Sequence, residues 1–181
     1  LDAVGRGAAQ FDIDKLTSLN GHYIRTADSD KLLDLVRPNI EKLLGSDIGK
    51  SENARLRNGI SGLKERAKNI NELSENTLFY VLKRPLTLSG KARKMLDEHG
   101  RRMVDIAREE LAGVSNWSRD ELESRIRKAA ADRNENLGKL AQPLRAALTG
   151  SNVSPGIFEV MEILGQEETL GRLEDATPRP Q

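Results

Sequence analysis

Apolar residues recur along this chain at spacings of three and four positions almost from end to end. In SDKLLDLVRPNIEKLLG (29–45), Leu32, Leu33, Val36, Ile40 and Leu43 fall on one face, the signature of an amphipathic helix. Gly45 then supplies a C-terminal stop. The segment 54–67 carries a stripe of Leu56, Ile60, Leu63 and Ala67. FDIDKLTSLNGHYIR (11–25) opens with acidic residues in its first turn, where the helix dipole favours them. A further helix is expected over 71–81, ended by Lys83-Arg84-Pro85. Residues 89–111 read as helix with a break near Gly100. Ser118 and Glu121 have capping-box spacing and predict a helix to about Asn134. Leu140, Ala141, Leu144 and Leu148 share a face in 137–148, and Ile157, Val160, Met161 and Leu164 share one in the next helix. A last short helix covers 167–173, and ATPRPQ reads as a loose end. No segment alternates as a strand does, so the fold class is all-α.

Composition supports that class. Of 181 residues, 37% are hydrophobic, 31% charged and only 3% aromatic, so the core must be mainly Leu, Ile, Val and Ala. Cysteine is absent, which removes disulfides, thiolate metal sites and cysteine nucleophiles together. No apolar run approaches the ~20 residues of a membrane span, so no membrane partner is expected. No signal peptide is visible, and the reading is cytoplasmic. The chain begins with Leu1, which reads as a piece of something longer. The net charge of +1 is unevenly spread. Residues 51–110 hold 13 Lys and Arg against 9 Asp and Glu, whereas residues 151–181 hold 2 against 6. A locally basic middle admits a polyanionic partner without requiring one.

Catalytic chemistry is not in evidence. His22 and His99 are far apart, with too few neighbours to make a metal site. There is no P-loop, no G-x-S-x-G and no H-E-x-x-H, and Gly5-Arg6-Gly7 is too short for a dinucleotide fingerprint. Two arginines stand out instead. On a helical wheel Arg66 and Arg145 each lie about 80° from the centre of a buried stripe. Such a residue packs its aliphatic stem and leaves its guanidinium available for bidentate contact. Between Arg145 and the next helix runs a small-residue loop, TGSNVSPG (149–156). Its backbone amides and hydroxyls lie near a helix start, and Ile157 and Phe158 follow at once. An apolar shelf beside exposed backbone groups suits an unstacked base. The same features also describe an ordinary helix–helix corner with a proline start.

PLRAALTG (143–150) followed by SPGIFEVMEILGQEETLGRL (154–173) resembles the C-terminal end of bacterial glutamyl-tRNA synthetases. FDIDKLTSLNGHYIR is similar to that family's helix just after the catalytic region, and ERAKNINEL (65–73) to its first anticodon-binding segment. The order and spacing of these blocks agree, so the resemblance covers nearly the whole chain. It implies two helical anticodon-binding subdomains in tandem, residues 28–78 and 79–181, with residues 1–27 as the end of a stem-contact region. It also implies that Arg66 reads the first anticodon base, and that Arg145, Ser154, Pro155 and Ile157 line the pocket for the others. The implied partner is tRNA(Glu), bound by a monomer, with no DNA. The family's ATP motifs, of H-I-G-H and K-M-S-K type, do not occur in this sequence. ATP and magnesium would therefore belong to a catalytic domain elsewhere, and no cofactor or aminoacylation is expected of this chain alone. The alternative is a stand-alone helical module that binds protein. Such a module has no reason to keep both arginines and the SPGIF loop.

Overall fold

The computed structural model describes residues 12–177. Gly5-Arg6-Gly7 and most of ATPRPQ lie outside the described residues. Among the described residues ten helices follow one another: α1 (Ile13–Thr26), α2 (Ser29–Leu44), α3 (Lys50–Lys64), α4 (Ile70–Thr77), α5 (Gly90–Met95), α6 (Glu98–Ala112), α7 (Arg119–Ala131), α8 (Leu137–Thr149), α9 (Ile157–Leu164) and α10 (Gln166–Ala176). A 3-10 turn, Leu78–Tyr80, continues α4, and no strand occurs among the described residues.

Most starts are chemically marked. Asp12, Asp28, Asn69, Ser89, Asp97 and Asn136 each accept a bond from a backbone N–H in the first turn of the helix that follows, which satisfies donors the helix itself cannot. Asp97 also corrects the expected break. The interruption falls at Leu96-Asp97, because the Asp97 carboxylate accepts from Gly100 N–H at 2.8 Å and starts α6 there. Gly100 lies inside α6, pressed against the Met95 carbonyl, where a side chain would collide. Ser118 is at the predicted N-cap position of α7, but its hydroxyl makes no cap bond. Glu162 on α9 accepts from Arg119 N–H instead, at 2.9 Å, and Glu121 pairs with Arg125.

α2, α3 and α4 pack on one another. α6, α8 and α10 form a second group, with α5 along α8 and α7 between α6 and α9. α3 reaches across to α9, and the 3-10 turn touches α3, α4 and α8. Two glycines on α3 permit this crossing: the Tyr80 ring fills the side-chain space of Gly59, and the Glu159 carboxylate that of Gly62. The predicted stripe residues Leu56, Ile60, Leu63, Ala67, Leu140, Leu144, Leu148, Val160 and Met161 are all buried. Leu43 is not; it is 55% exposed at the end of α2.

The largest fully buried side chain is Arg172 of α10. Its guanidinium donates to the carbonyls of Phe79 (2.7 Å), Leu148 (2.7 Å) and Leu82 (3.1 Å), and to Glu168 at 2.7 Å. Glu168 also lies 3.6 Å from Arg55 and 3.9 Å from Arg84. One carboxylate thus gathers three guanidinium groups, and the buried one ties α10 to the end of α8 and to the segment following α4. Burial pushes the Arg172 pKa down, and Glu168 opposes the shift. No helix among the described residues is long and apolar enough to cross a membrane.

Candidate functional site

The site forms where the C-terminal ends of α3 and α8 meet the 149–156 loop. α8 ends because Gly150 takes φ +70°, with its N–H on the Ala146 carbonyl at 3.0 Å. A β-carbon on Gly150 would stand 2.7 Å from the Thr87 carbonyl oxygen, so this position excludes side chains on two counts. The Gly150 carbonyl accepts from Ser89 N–H at 2.8 Å, fixing the start of α5 to the base of the loop. The loop then bonds to itself. The Thr149 hydroxyl donates to the Arg145 carbonyl (2.8 Å) and accepts from Ser151 N–H (3.2 Å), and Ser151 Oγ accepts from Val153 N–H (3.2 Å).

Arg145, one turn before the loop, reaches its far side. Its Nη1 donates to the Ser154 carbonyl (2.8 Å), to Ser154 Oγ (2.5 Å) and to the Pro155 carbonyl (2.9 Å). Arg66 arrives from 88 residues away in the chain and donates through Nη1 to the same Ser154 carbonyl at 3.1 Å. Arg66 is not in a helix, as the angular reading assumed. α3 ends at Lys64, and Arg66 stands in the turn beyond it. That turn is what lets its side chain leave α3 towards the loop.

Two guanidinium groups therefore converge on one carbonyl. No carboxylate of the described residues lies within 4.0 Å of either. Arg145 is half-buried, and its pKa is pushed down first by desolvation and then by the neighbouring positive charge of Arg66. Each guanidinium has five N–H donors in a planar fork. Only Nη1 of each is used here; Nε and Nη2 meet no acceptor among the described residues. The site is thus a pair of like charges, positioned by one loop and unneutralised, with donor groups to spare. Such a site suits oxygen-rich or acceptor-bearing ligand edges.

Of the five residues singled out in the sequence, Arg66, Arg145, Ser154 and Pro155 meet in this one network. Ile157 does not join it: Ile157 is 4% exposed and Phe158 8%, both turned into the core under the loop. The expected apolar shelf is therefore not on the surface at those positions. The large apolar side chain that the loop does expose is Val153, at 62%. Sequence reasoning missed Val153 because a single valine among small polar residues carries no periodic signal. It also missed the Ser89–Gly150 tether, for which no local pattern exists. Among the described residues no group of three or more His, Asp or Glu is placed to hold a metal.

Residues 31–177 match the family of anticodon binding domains. A glutamate–tRNA ligase of Rhodospirillum rubrum is 52% identical over 97% of this chain and 38% of its own length. One from Paramagnetospirillum magneticum is 52% identical over 97% of this chain and 37% of its own length. The chain therefore spans well under half the length of these curated relatives, in their C-terminal part. A crystal structure of a glutamate tRNA ligase from Elizabethkingia meningosepticum, in complex with its amino acid, superposes with a TM-score of 0.74. The superposition covers 92% of this chain and 32% of that one, at 22% identity, and bears on the fold alone.

Proposed function

Since the chain belongs to the anticodon-binding domain family, we propose that it reads the anticodon of tRNA(Glu) at the Arg66–Arg145 site. The observation that carries this reading is the pair of adjacent guanidinium groups, without a carboxylate partner among the described residues and held on the Ser154 carbonyl. Because that carbonyl is already taken by both arginines, the pocket offers donors and few acceptors. Base edges rich in ring nitrogen and carbonyl acceptors fit it, as they fit arginine elsewhere. Arg66 takes the first anticodon base. Arg145, with Ser154 and Pro155 in its network, serves the others. Ile157 acts from beneath, supporting the loop, and exposed Val153 offers the apolar contact that an unstacked base needs.

The division of the chain belongs to the same proposal: residues 1–27 as the end of a stem-contact region, with 28–78 and 79–181 as two reading subdomains. The packing of α2–α4 on one another, and of α5–α10 on one another, supports it. In a protein of the relatives' full length, this reading would select the tRNA to which glutamate is attached with ATP. ATP and magnesium would act in that other part, and this chain would use no cofactor. It would work as a monomer, in the cytoplasm.

Titration of the chain with a tRNA(Glu) transcript and with anticodon-substituted transcripts, at two salt concentrations, tests the reading. Tighter binding of the cognate anticodon at both salts supports it. Equal and strongly salt-sensitive binding of all transcripts would leave only a basic surface.

A further inference from the structure

The basic middle of the chain divides sharply once its partners are known. Of the 13 Lys and Arg in 51–110, Arg55, Arg57, Arg84 and Arg108 are ion-paired. Lys64, Arg66 and Arg101 donate to backbone carbonyls. The rest do neither among the described residues, and three of them, Lys91, Arg93 and Lys94, fall within four consecutive positions on α5. The helix is set so that they must point outward. Ala92 is fully buried against the body of the protein, and at ~100° per residue its neighbours at 91, 93 and 94 cover the opposite arc. All three are exposed.

α5 is also anchored to the candidate site. Ser89 caps it through Ala92 N–H at 3.2 Å, and the Ser89 N–H holds the Gly150 carbonyl at 2.8 Å. The three cations thus begin two residues from a hydrogen bond to the base of the loop. Resting on the anticodon reading above, we infer that the outward face of α5 is a phosphate-binding surface. Lys91, Arg93 and Lys94 would hold the ribose-phosphate backbone of the RNA whose bases enter the Arg66–Arg145 pocket. The division of labour follows from the chemistry. Arginines anchored on the loop suit base edges, whereas exposed cations suit a diffuse line of phosphates that carries no sequence information.

The test is the triple variant Lys91→Gln, Arg93→Gln, Lys94→Gln, titrated with the tRNA(Glu) transcript and one anticodon-substituted transcript across a salt series. The slope of log affinity against log salt should fall by about 0.7–0.9 for each phosphate that is no longer neutralised. Affinity should drop by the same factor for both transcripts, leaving their ratio unchanged. The comparison is Arg125→Gln, Arg127→Gln, Lys128→Gln on α7, which should leave the slope alone. An unchanged slope in the α5 variant, or an equal fall in the α7 variant, overturns the inference while the wild-type anticodon ratio keeps the pocket reading intact. A collapse of that ratio in the α5 variant also overturns it, since α5 would then be shaping the pocket. A wild-type chain that binds no transcript at low salt overturns both readings.

Discussion

At the scale of single residues, the site turns on geometry more than on charge. Arg145 uses one nitrogen to hold three oxygens of the loop, and its other two nitrogens meet no acceptor among the described residues. A lysine keeps the charge and loses the fork. Arg145→Lys should therefore retain most of the salt-dependent affinity for tRNA(Glu) and lose discrimination among anticodons, by about 1–3 kcal/mol per base read. Anisotropy titrations with cognate and substituted transcripts separate the two effects, and full discrimination in the lysine variant would exclude the fork. Gly150 makes a different prediction, one about stability. Alanine there must adopt a left-handed conformation costing about 1–2 kcal/mol, before its clash with the Thr87 carbonyl is counted. Gly150→Ala should lower the urea midpoint accordingly and weaken binding, since α8, the loop and α5 meet at that residue.

Among the elements, α10 exerts its influence from the far side of the core. Arg172 has no exposure worth the name, yet it holds the last turn of α8 through Leu148 and the chain after α4 through Phe79 and Leu82. Arg172→Met leaves those carbonyls without the donor and Glu168 without its buried partner. The expected loss is about 3–5 kcal/mol in urea denaturation, the range for breaking a buried ion pair; a loss under about 1 kcal/mol would mean that solvent already serves those groups. Nothing in the sequence announced this role. QEETLGRLEDA reads as a short amphipathic helix, and its arginine looks like one more surface cation until α8 and the 3-10 turn are placed around it. The helices themselves were legible because a 3.6-residue period is local: Leu56, Ile60 and Leu63 predict their own burial, and all three are buried. Boundaries were legible only where a cap outweighed its rivals. Gly100 suggested a break, but Asp97 three residues earlier supplied the hydrogen bond that made one. Ser118 had the spacing of a cap, and Glu162, distant in sequence, took the bond. The candidate residues Arg66, Arg145, Ser154 and Pro155 could be named from a resemblance. That the two arginines share the Ser154 carbonyl could not, because it depends on how α3 crosses α9.

For the whole molecule, the consequence is that the site has no owner among the helical groups. Arg66 belongs with α2–α4 and Arg145 with α5–α10, and they meet on the Ser154 carbonyl because Gly59 and Gly62 let α3 approach Tyr80 and Glu159. Residues that share a partner do not act independently, and their coupling is typically about 0.5–3 kcal/mol. A double-mutant cycle of Arg66→Gln and Arg145→Gln, read as binding of tRNA(Glu), should therefore be non-additive by an amount in that range. Losses that add to within about 0.3–0.5 kcal/mol would mean two separate interactions that merely lie close together. The cycle becomes a test of the architecture when repeated in an Arg172→Met background, at a temperature where that variant remains folded. If the buried arginine sets how the two helical groups stand to each other, the coupling should shrink while the anticodon-independent part of the affinity persists. If the coupling is unchanged, the crossing of α3 and α9 alone fixes the pocket, and Arg172 serves stability and nothing more.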